Sequence, residues 1–116
     1  MEFWATWCGP CRFSLPSLEV IYRQYRDRGA VVLLANQDEA PEQIRTWAAK
    51  RFTAPILLDT DGRVALQYRT SGIPHLLIIN KDGQIIYEHD GYGGGLERSL
   101  ELILEELLPQ QAPTHV

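Results

Sequence analysis

The 116-residue chain has two cysteines, no excess of basic residues and no long apolar run. Two cysteines cannot build a disulfide scaffold, and they are too few for a four-cysteine zinc site. A net charge of −4 argues against a nucleic-acid surface, which needs a basic stripe. The apolar stretches, such as Ala30–Ala35 and Leu76–Ile79, are of strand length and far short of the roughly 18 residues of a membrane span. Met1 is followed at once by Glu2, Phe3 and Trp4, a pattern from which no secretory leader is expected in these residues. Hydrophobic residues make up 45% and charged residues 22%, which is ordinary globular usage and excludes a disordered chain. The length suits one domain.

What is present alternates between two periodicities. Glu2–Thr6 is short and aromatic-rich and predicts a buried strand. Leu15, Leu18, Ile21, Tyr22 and Tyr25 then recur at helical spacing, with Arg12, Glu19, Arg23 and Arg26–Arg28 mainly on the opposite side. Pro16 falls inside this helix and predicts a kink; Gly29 stops it. Val31–Ala35 predicts a central parallel strand. Pro41 opens a second helix, whose apolar face is Ile44, Trp47, Ala48 and Phe52. Further along, a strand is expected at Ile56–Leu58 and a short helix at Val64–Tyr68. A hairpin of His75–Asn80 and Gln84–Glu88 turns on Asp82-Gly83. Gly91–Gly95 forms a joint, and Leu96, Leu100, Ile103, Leu104, Leu107 and Leu108 mark a last helix. Glu97, Glu101, Glu105 and Glu106 read as its solvated face. The order β-α-β-α-β-α-β-β-α predicts an α/β fold with a mainly parallel mixed sheet flanked by helices. Residues 1–108 form its domain, and 109–116 read as a flexible tail. Because the chain opens inside its central strand, the N-terminal edge is expected to be truncated.

The two cysteines are spaced Cys-x-x-Cys, at Cys8 and Cys11, between a strand and a helix. Unpaired amides and the macrodipole at a helix N-terminus favour an anion there. They lower a thiol's pKa from about 8.5 into a range of about 3.5–7.5. Cys8 is then the attacking thiol, and Cys11, one turn further in, the resolving one. Gly9 lets a partner approach closely, and Pro10 supplies no surplus N–H at the helix start. The same spacing also serves as half of a zinc site or as a structural pair; the strand before it and the helix after it favour redox work.

Phe3-Trp4-Ala5-Thr6-Trp7-Cys8-Gly9-Pro10-Cys11-Arg12 resembles the active-site signature of the thioredoxin superfamily, in its TlpA/ResA-like thiol–disulfide oxidoreductase branch. Val31–Asn36, Pro55–Asp61, Gly72-Ile73-Pro74 and Leu77–Gly83 extend the resemblance to about Leu108. It implies a thioredoxin fold and a reductant of protein disulfides working through Cys8 and Cys11, in bacterial redox homeostasis. No cofactor and no metal are implied. The partners are protein disulfide or dithiol substrates and an upstream thiol reductant, with no nucleic acid. Membrane contact would come only through a missing N-terminal anchor. The implied location is extracytoplasmic, in periplasm or cell envelope, while the lack of a leader leaves the cytoplasm open.

The resemblance also implies residue roles. Pro74 matches the cis-proline facing the cysteine pair, with Ile73 before it presenting backbone to a substrate strand. Trp7 matches the tryptophan flanking the thiols, whereas Trp4 reads as core. Glu2, six residues before Cys8, falls where thioredoxins carry a buried acid that exchanges a proton with the resolving cysteine; burial would raise its pKa. The alternative for Glu2 is a frayed, solvated position. One departure is Ser14, where relatives of the ResA kind carry glutamate, which puts a dedicated apocytochrome role in doubt. Another is His75, which replaces a threonine and either tunes the thiols, touches substrate or is simply a buried strand residue. Competing readings are a copper- or zinc-binding thiol chaperone using Cys8, Cys11 and His75, and a redox-inactive truncated domain. Peroxidase chemistry lacks its upstream proline. Gly93–Gly95 lacks the Lys-Ser/Thr of a phosphate loop.

Overall fold

The computed structural model describes residues 1–38 and 40–109; the expected tail beyond Pro109 lies outside the described residues. Its elements are β1 (Glu2–Trp4), α1 (Cys11–Tyr25), β2 (Leu34–Asn36), α2 (Pro41–Ala48), β3 (Ile56–Leu58), α3 (Arg63–Gln67), β4 (His75–Ile79), β5 (Ile85–Asp90) and α4 (Leu96–Leu107). The strands form one sheet in the order β3-β2-β1-β4-β5. β1 pairs with β2 in parallel, and so does β2 with β3; β4 runs antiparallel to both β1 and β5. The first strand is therefore the central one. The mixed sheet flanked by helices agrees with the α/β architecture expected from the alternating periods, but two of its four pairings are antiparallel, because β4 runs against β1 as well as against β5.

Strand alternation sorts side chains onto two faces. Glu2 stands opposite Leu34 and Leu76, and Phe3 opposite Ala35 and His75. On the first face, Trp4, Leu34 and Leu76 pack with Leu15, Leu18 and Ile21 of α1, Ile44 and Ala48 of α2, and Leu96 and Leu100 of α4. On the second face, Phe3, Ala35 and Leu77 pack with Ala65, Tyr68 and Ile73.

Several boundaries differ from the pattern-based expectation. Val31 is exposed and β2 begins only at Leu34, because the ladder to β1 engages Leu34–Asn36 and no further. α2 ends at Ala48, short of Phe52, which still closes the aromatic series Trp4–Trp47–Phe52. β3 is an edge strand with Leu57 and Leu58 exposed. Leu107 is exposed too, since Leu96 and Leu100 supply the buried contact of α4. Pro16 sits within an uninterrupted α1.

Of the charges expected in solvent, Glu19 is buried, and Glu105, though still exposed, is bonded to partners from another element. Glu19 of α1 is buried and accepts hydrogen bonds from the Thr53 and Ala54 amides, at 2.7 and 2.9 Å, and from the Thr53 hydroxyl. Glu105 of α4 accepts from the Tyr25 hydroxyl at 2.9 Å and pairs with Arg28 at 2.6 Å, tying the last helix to the end of the first. Helical charge spacing alone shows neither partner, because each lies far away in the chain.

Candidate active site

The central strand leads into the turn that carries the cysteines. Cys8 and Cys11 are joined in a disulfide with a Cα–Cα separation of 5.3 Å. α1 starts at Cys11, and Pro10 occupies the cap position. Cys8 thus lies just before the helix, and its sulfur accepts the Cys11 N–H at 3.2 Å. That amide is one of the helix's free donors, so a thiolate on Cys8 would receive both the hydrogen bond and the positive end of the dipole. Cys8 retains 4% exposure while Cys11 has none. Trp7, immediately before, is 70% exposed and therefore has no packing role in the core. A Cβ added at Gly9 would meet nothing within 4 Å, so Gly9, next to Cys8, faces open space.

The turn is held from below by Asp38, which is buried. Its two carboxylate oxygens accept the Thr6 amide at 2.8 Å and the Thr6 hydroxyl at 2.7 Å. The Asn36 side-chain amide also donates to it, at 2.7 Å, and the Asp38 N–H returns a bond to the Asn36 oxygen. The ends of β1 and β2 are thereby clamped just ahead of Trp7 and Cys8. Sequence pattern marks Asp38 only as the polar end of a strand.

Glu2 is 1% exposed, not frayed. Its side chain shares the α1 face of the sheet, where Ser14 of α1 donates its hydroxyl to Oε2 at 2.9 Å. The same hydroxyl lies 3.2 Å from the Cys11 carbonyl oxygen. Burial raises the Glu2 pKa to about 7, against a partial pull downward from the Ser14 hydrogen bond and the nearby amino terminus. A carboxyl that changes charge near neutrality thus stands one hydroxyl away from the backbone of Cys11.

The Ile73–Pro74 peptide bond is cis. Ile73 is half-buried against the cluster that contains both cysteines. The Pro74 carbonyl accepts the Gly91 N–H at 2.8 Å, which fastens the joint after β5 to the start of β4.

A family model, Redoxin, matches residues 1–101. The chain belongs to the Redoxin family. Among curated relatives of this Redoxin-family chain, the thiol-disulfide oxidoreductase ResA of Bacillus thuringiensis is 26% identical over 94% of this chain and 62% of its own length. The thioredoxin-like protein YneN of Bacillus subtilis is 34% identical over 78% of this chain and 55% of its own. The chain thus spans about three-fifths of the length of the ResA relatives it matches. Among solved structures, a thiol:disulfide interchange protein DsbE from Chlorobium tepidum superposes with a TM-score of 0.84 at 29% identity, covering 91% of this chain and 77% of that one. The exposed lipoprotein thioredoxin Etrx1 of Streptococcus pneumoniae gives 0.77 at 26%, covering 91% and 82%. The thioredoxin-like fold and the TlpA/ResA-like character expected from the active-site motif agree with these matches.

His75 lies elsewhere in the Redoxin scaffold. It points to the Phe3 face of the sheet, away from Glu2 and α1, where it is buried, stacks on Phe3 and pairs through Nδ1 with Asp90. Among the described residues no three His, Cys, Asp or Glu side chains gather as metal ligands, so Cys8, Cys11 and His75 form no common ligand set. No helix among the described residues is long and apolar enough to cross a membrane.

Two exposed aromatics beside the motif were not singled out by pattern. Phe13, in the first turn of α1, is 66% exposed, and Tyr92, next to Gly91, is 41% exposed. Their rings stack with centroids 5.9 Å apart and an interplanar angle of 30°. Nothing in the local sequence of either one points to the other.

Proposed function

We propose that the chain is a thiol–disulfide oxidoreductase that reduces protein disulfides through Cys8 and Cys11. The observation that carries this reading is the Cys8–Cys11 disulfide at the start of α1, with the Cys8 sulfur accepting the first helical amide. In the reduced form, the Cys8 thiolate attacks one sulfur of a substrate disulfide. A mixed disulfide forms, and the other substrate sulfur leaves as a thiolate and takes up a proton. Cys11 then gives up its proton, attacks the Cys8 sulfur and closes the Cys8–Cys11 bond, expelling the second substrate thiolate. Two electrons have passed from the dithiol to the substrate, and an upstream dithiol reductant returns them.

The remaining residues divide the work. Glu2, buried near Cys11 and half-ionised near pH 7, accepts the Cys11 proton in the second step. Open space at Gly9 and the exposed face of Trp7 admit the substrate, with Pro10 beside them. Ile73 and Pro74 offer backbone along which an extended substrate segment lies as an added strand. An extracytoplasmic setting suits this chemistry, and the similarity to an exposed lipoprotein thioredoxin supports it.

The deciding experiment is the equilibrium reduction potential of Cys8–Cys11 in a glutathione or dithiothreitol series. Gly-Pro between the cysteines matches thioredoxin, whose potential is about −270 mV, so a value at or below roughly −250 mV is expected. A value near about −120 to −180 mV would make the protein an oxidant or isomerase. Absence of any reversible two-electron step would overturn the oxidoreductase reading altogether.

A further inference from the structure

We infer that Phe13 and Tyr92 form an aromatic subsite that selects extended protein segments carrying an apolar side chain beside their reactive cysteine. This rests on the proposed oxidoreductase reading and names the substrate class of that same site. Large apolar side chains exposed together are uncommon on a monomer surface and mark contact sites. Phe13 is two residues past Cys11, in the first turn of α1. Tyr92 follows Gly91, whose N–H is bonded to the Pro74 carbonyl. The stack therefore bridges the two segments that border the disulfide, the motif helix and the cis-proline turn. With Trp7 exposed on the residue before Cys8, apolar surface lies at both sequence ends of the motif.

The occupant follows from continuity with the disulfide. A segment held along Ile73 and Pro74 with its sulfur at Cys8 must pass this neighbourhood. An apolar side chain next to its cysteine would cover the two rings, whereas an acidic one would strip water from a carboxylate with no cation in the stack to receive it. Arg12, the neighbouring charge, is turned back and donates to the Thr6 carbonyl at 3.2 Å.

The test compares second-order rate constants of the reduced protein with two disulfide-linked model peptides, one with leucine and one with glutamate on either side of cysteine. Oxidised glutathione serves as a third substrate. A leucine preference of roughly three- to tenfold is expected, the size of one aromatic contact. In Phe13→Ser and Tyr92→Ser the ratio should fall towards one, while Tyr92→Phe keeps it, and so does Leu102→Ser, an exposed apolar residue on α4. Equal rates for the two peptides in the wild type, or a ratio indifferent to both serine variants, would overturn the subsite alone. No exchange with either peptide or with glutathione would overturn the oxidoreductase reading and the subsite with it. If Phe13→Ser instead abolishes a concentration-dependent dimer and leaves the ratio untouched, the pair is a self-association surface and the subsite is wrong.

Discussion

Replacing Glu2 with glutamine should make the protein more stable at alkaline pH and slower at its chemistry. The carboxyl is raised by burial from 4.5 to about 7 in the folded state. The native protein therefore holds the Glu2 proton more tightly than the unfolded chain does. At and below pH 4.5 both states are protonated, and the group takes nothing from stability. As pH rises from 4.5 to about 7, the unfolded chain ionises while the native one resists, and stability falls. Above pH 7 the loss is complete and constant. At about 1.4 kcal/mol for each pH unit of displacement, the loss is about 3 kcal/mol.

Glutamine is nearly isosteric, keeps an oxygen for the Ser14 hydroxyl and does not ionise. Urea unfolding of oxidised wild type and Glu2→Gln should coincide near pH 4.5 and separate by about 3 kcal/mol at pH 8, the variant being the more stable. For a domain of this size that is a rise in Tm of roughly 12 °C. Other acids, such as Glu19 and Asp59, slope the other way at low pH, but they contribute equally to both proteins and cancel in the difference. In the same variant, attack of Cys11 on a Cys8–thionitrobenzoate mixed disulfide at pH 7 should slow on the order of a hundredfold, read by release of the chromophore. Parallel stability curves from pH 4.5 to 8 would refute the raised pKa. A separation in stability with no change in resolution rate would leave Glu2 buried but remove it from the proton path.

Asp38→Ala should cost about 2–4 kcal/mol in urea unfolding by orphaning the Thr6 amide and the Asn36 side chain, and should shift the Cys8–Cys11 potential as the clamped turn loosens. Burial alone would raise the Glu19 pKa, but its bonds from Thr53, Ala54 and Arg23 outweigh that and hold it low. Glu19→Gln should therefore cost about 2 kcal/mol at pH 7, a gap that closes as pH falls below about 4.5 through the native pKa and the wild type loses its carboxylate; acid-to-neutral unfolding curves of both proteins check it. Ser14→Glu would set a second carboxyl against Glu2 and should destabilise the protein by at least about 2 kcal/mol at pH 8, whereas Glu2→Gln with Ser14→Glu should recover much of the stability and of the pH-dependent resolution rate.

The disulfide motif and the element order were legible because each is local: a few adjacent residues carry the spacing or the period. The cis Ile73–Pro74 bond was expected only from the resemblance to thioredoxins, since Gly72-Ile73-Pro74 alone suits a trans turn equally. What escaped was set by partners far along the chain. Glu19 and Glu105 look like solvated helix charges until Thr53 and Ala54, or Tyr25 and Arg28, arrive from elsewhere. Phe13 and Tyr92 each look like an incidental surface aromatic until they stack. Val31 looks like strand because it is β-branched and follows a helix stop, but a ladder forms only where a partner strand runs alongside, and β1 meets β2 from Leu34 onward.

Glu2 shows why one residue admits two opposite readings. An acid near a chain terminus is solvated unless backbone on both sides holds it, and here β2 and β4 flank it at Leu34 and Leu76. Once β1 is central, alternation aims Glu2 at α1, and the helix presents Ser14 to it. Burial pushes the carboxyl up, and the Ser14 hydroxyl draws it part of the way back, so it titrates close to neutrality. A glutamate at position 14, as in the ResA-like pattern, would bring its carboxyl to this same spot from the helix. Two carboxyls so close would force one to stay protonated. The site therefore has room for one ionised acid, drawn from either the strand or the helix. With serine at position 14 the buried acid on this side of the motif comes from the strand, and the Ser14 hydroxyl stands between Glu2 and the Cys11 carbonyl.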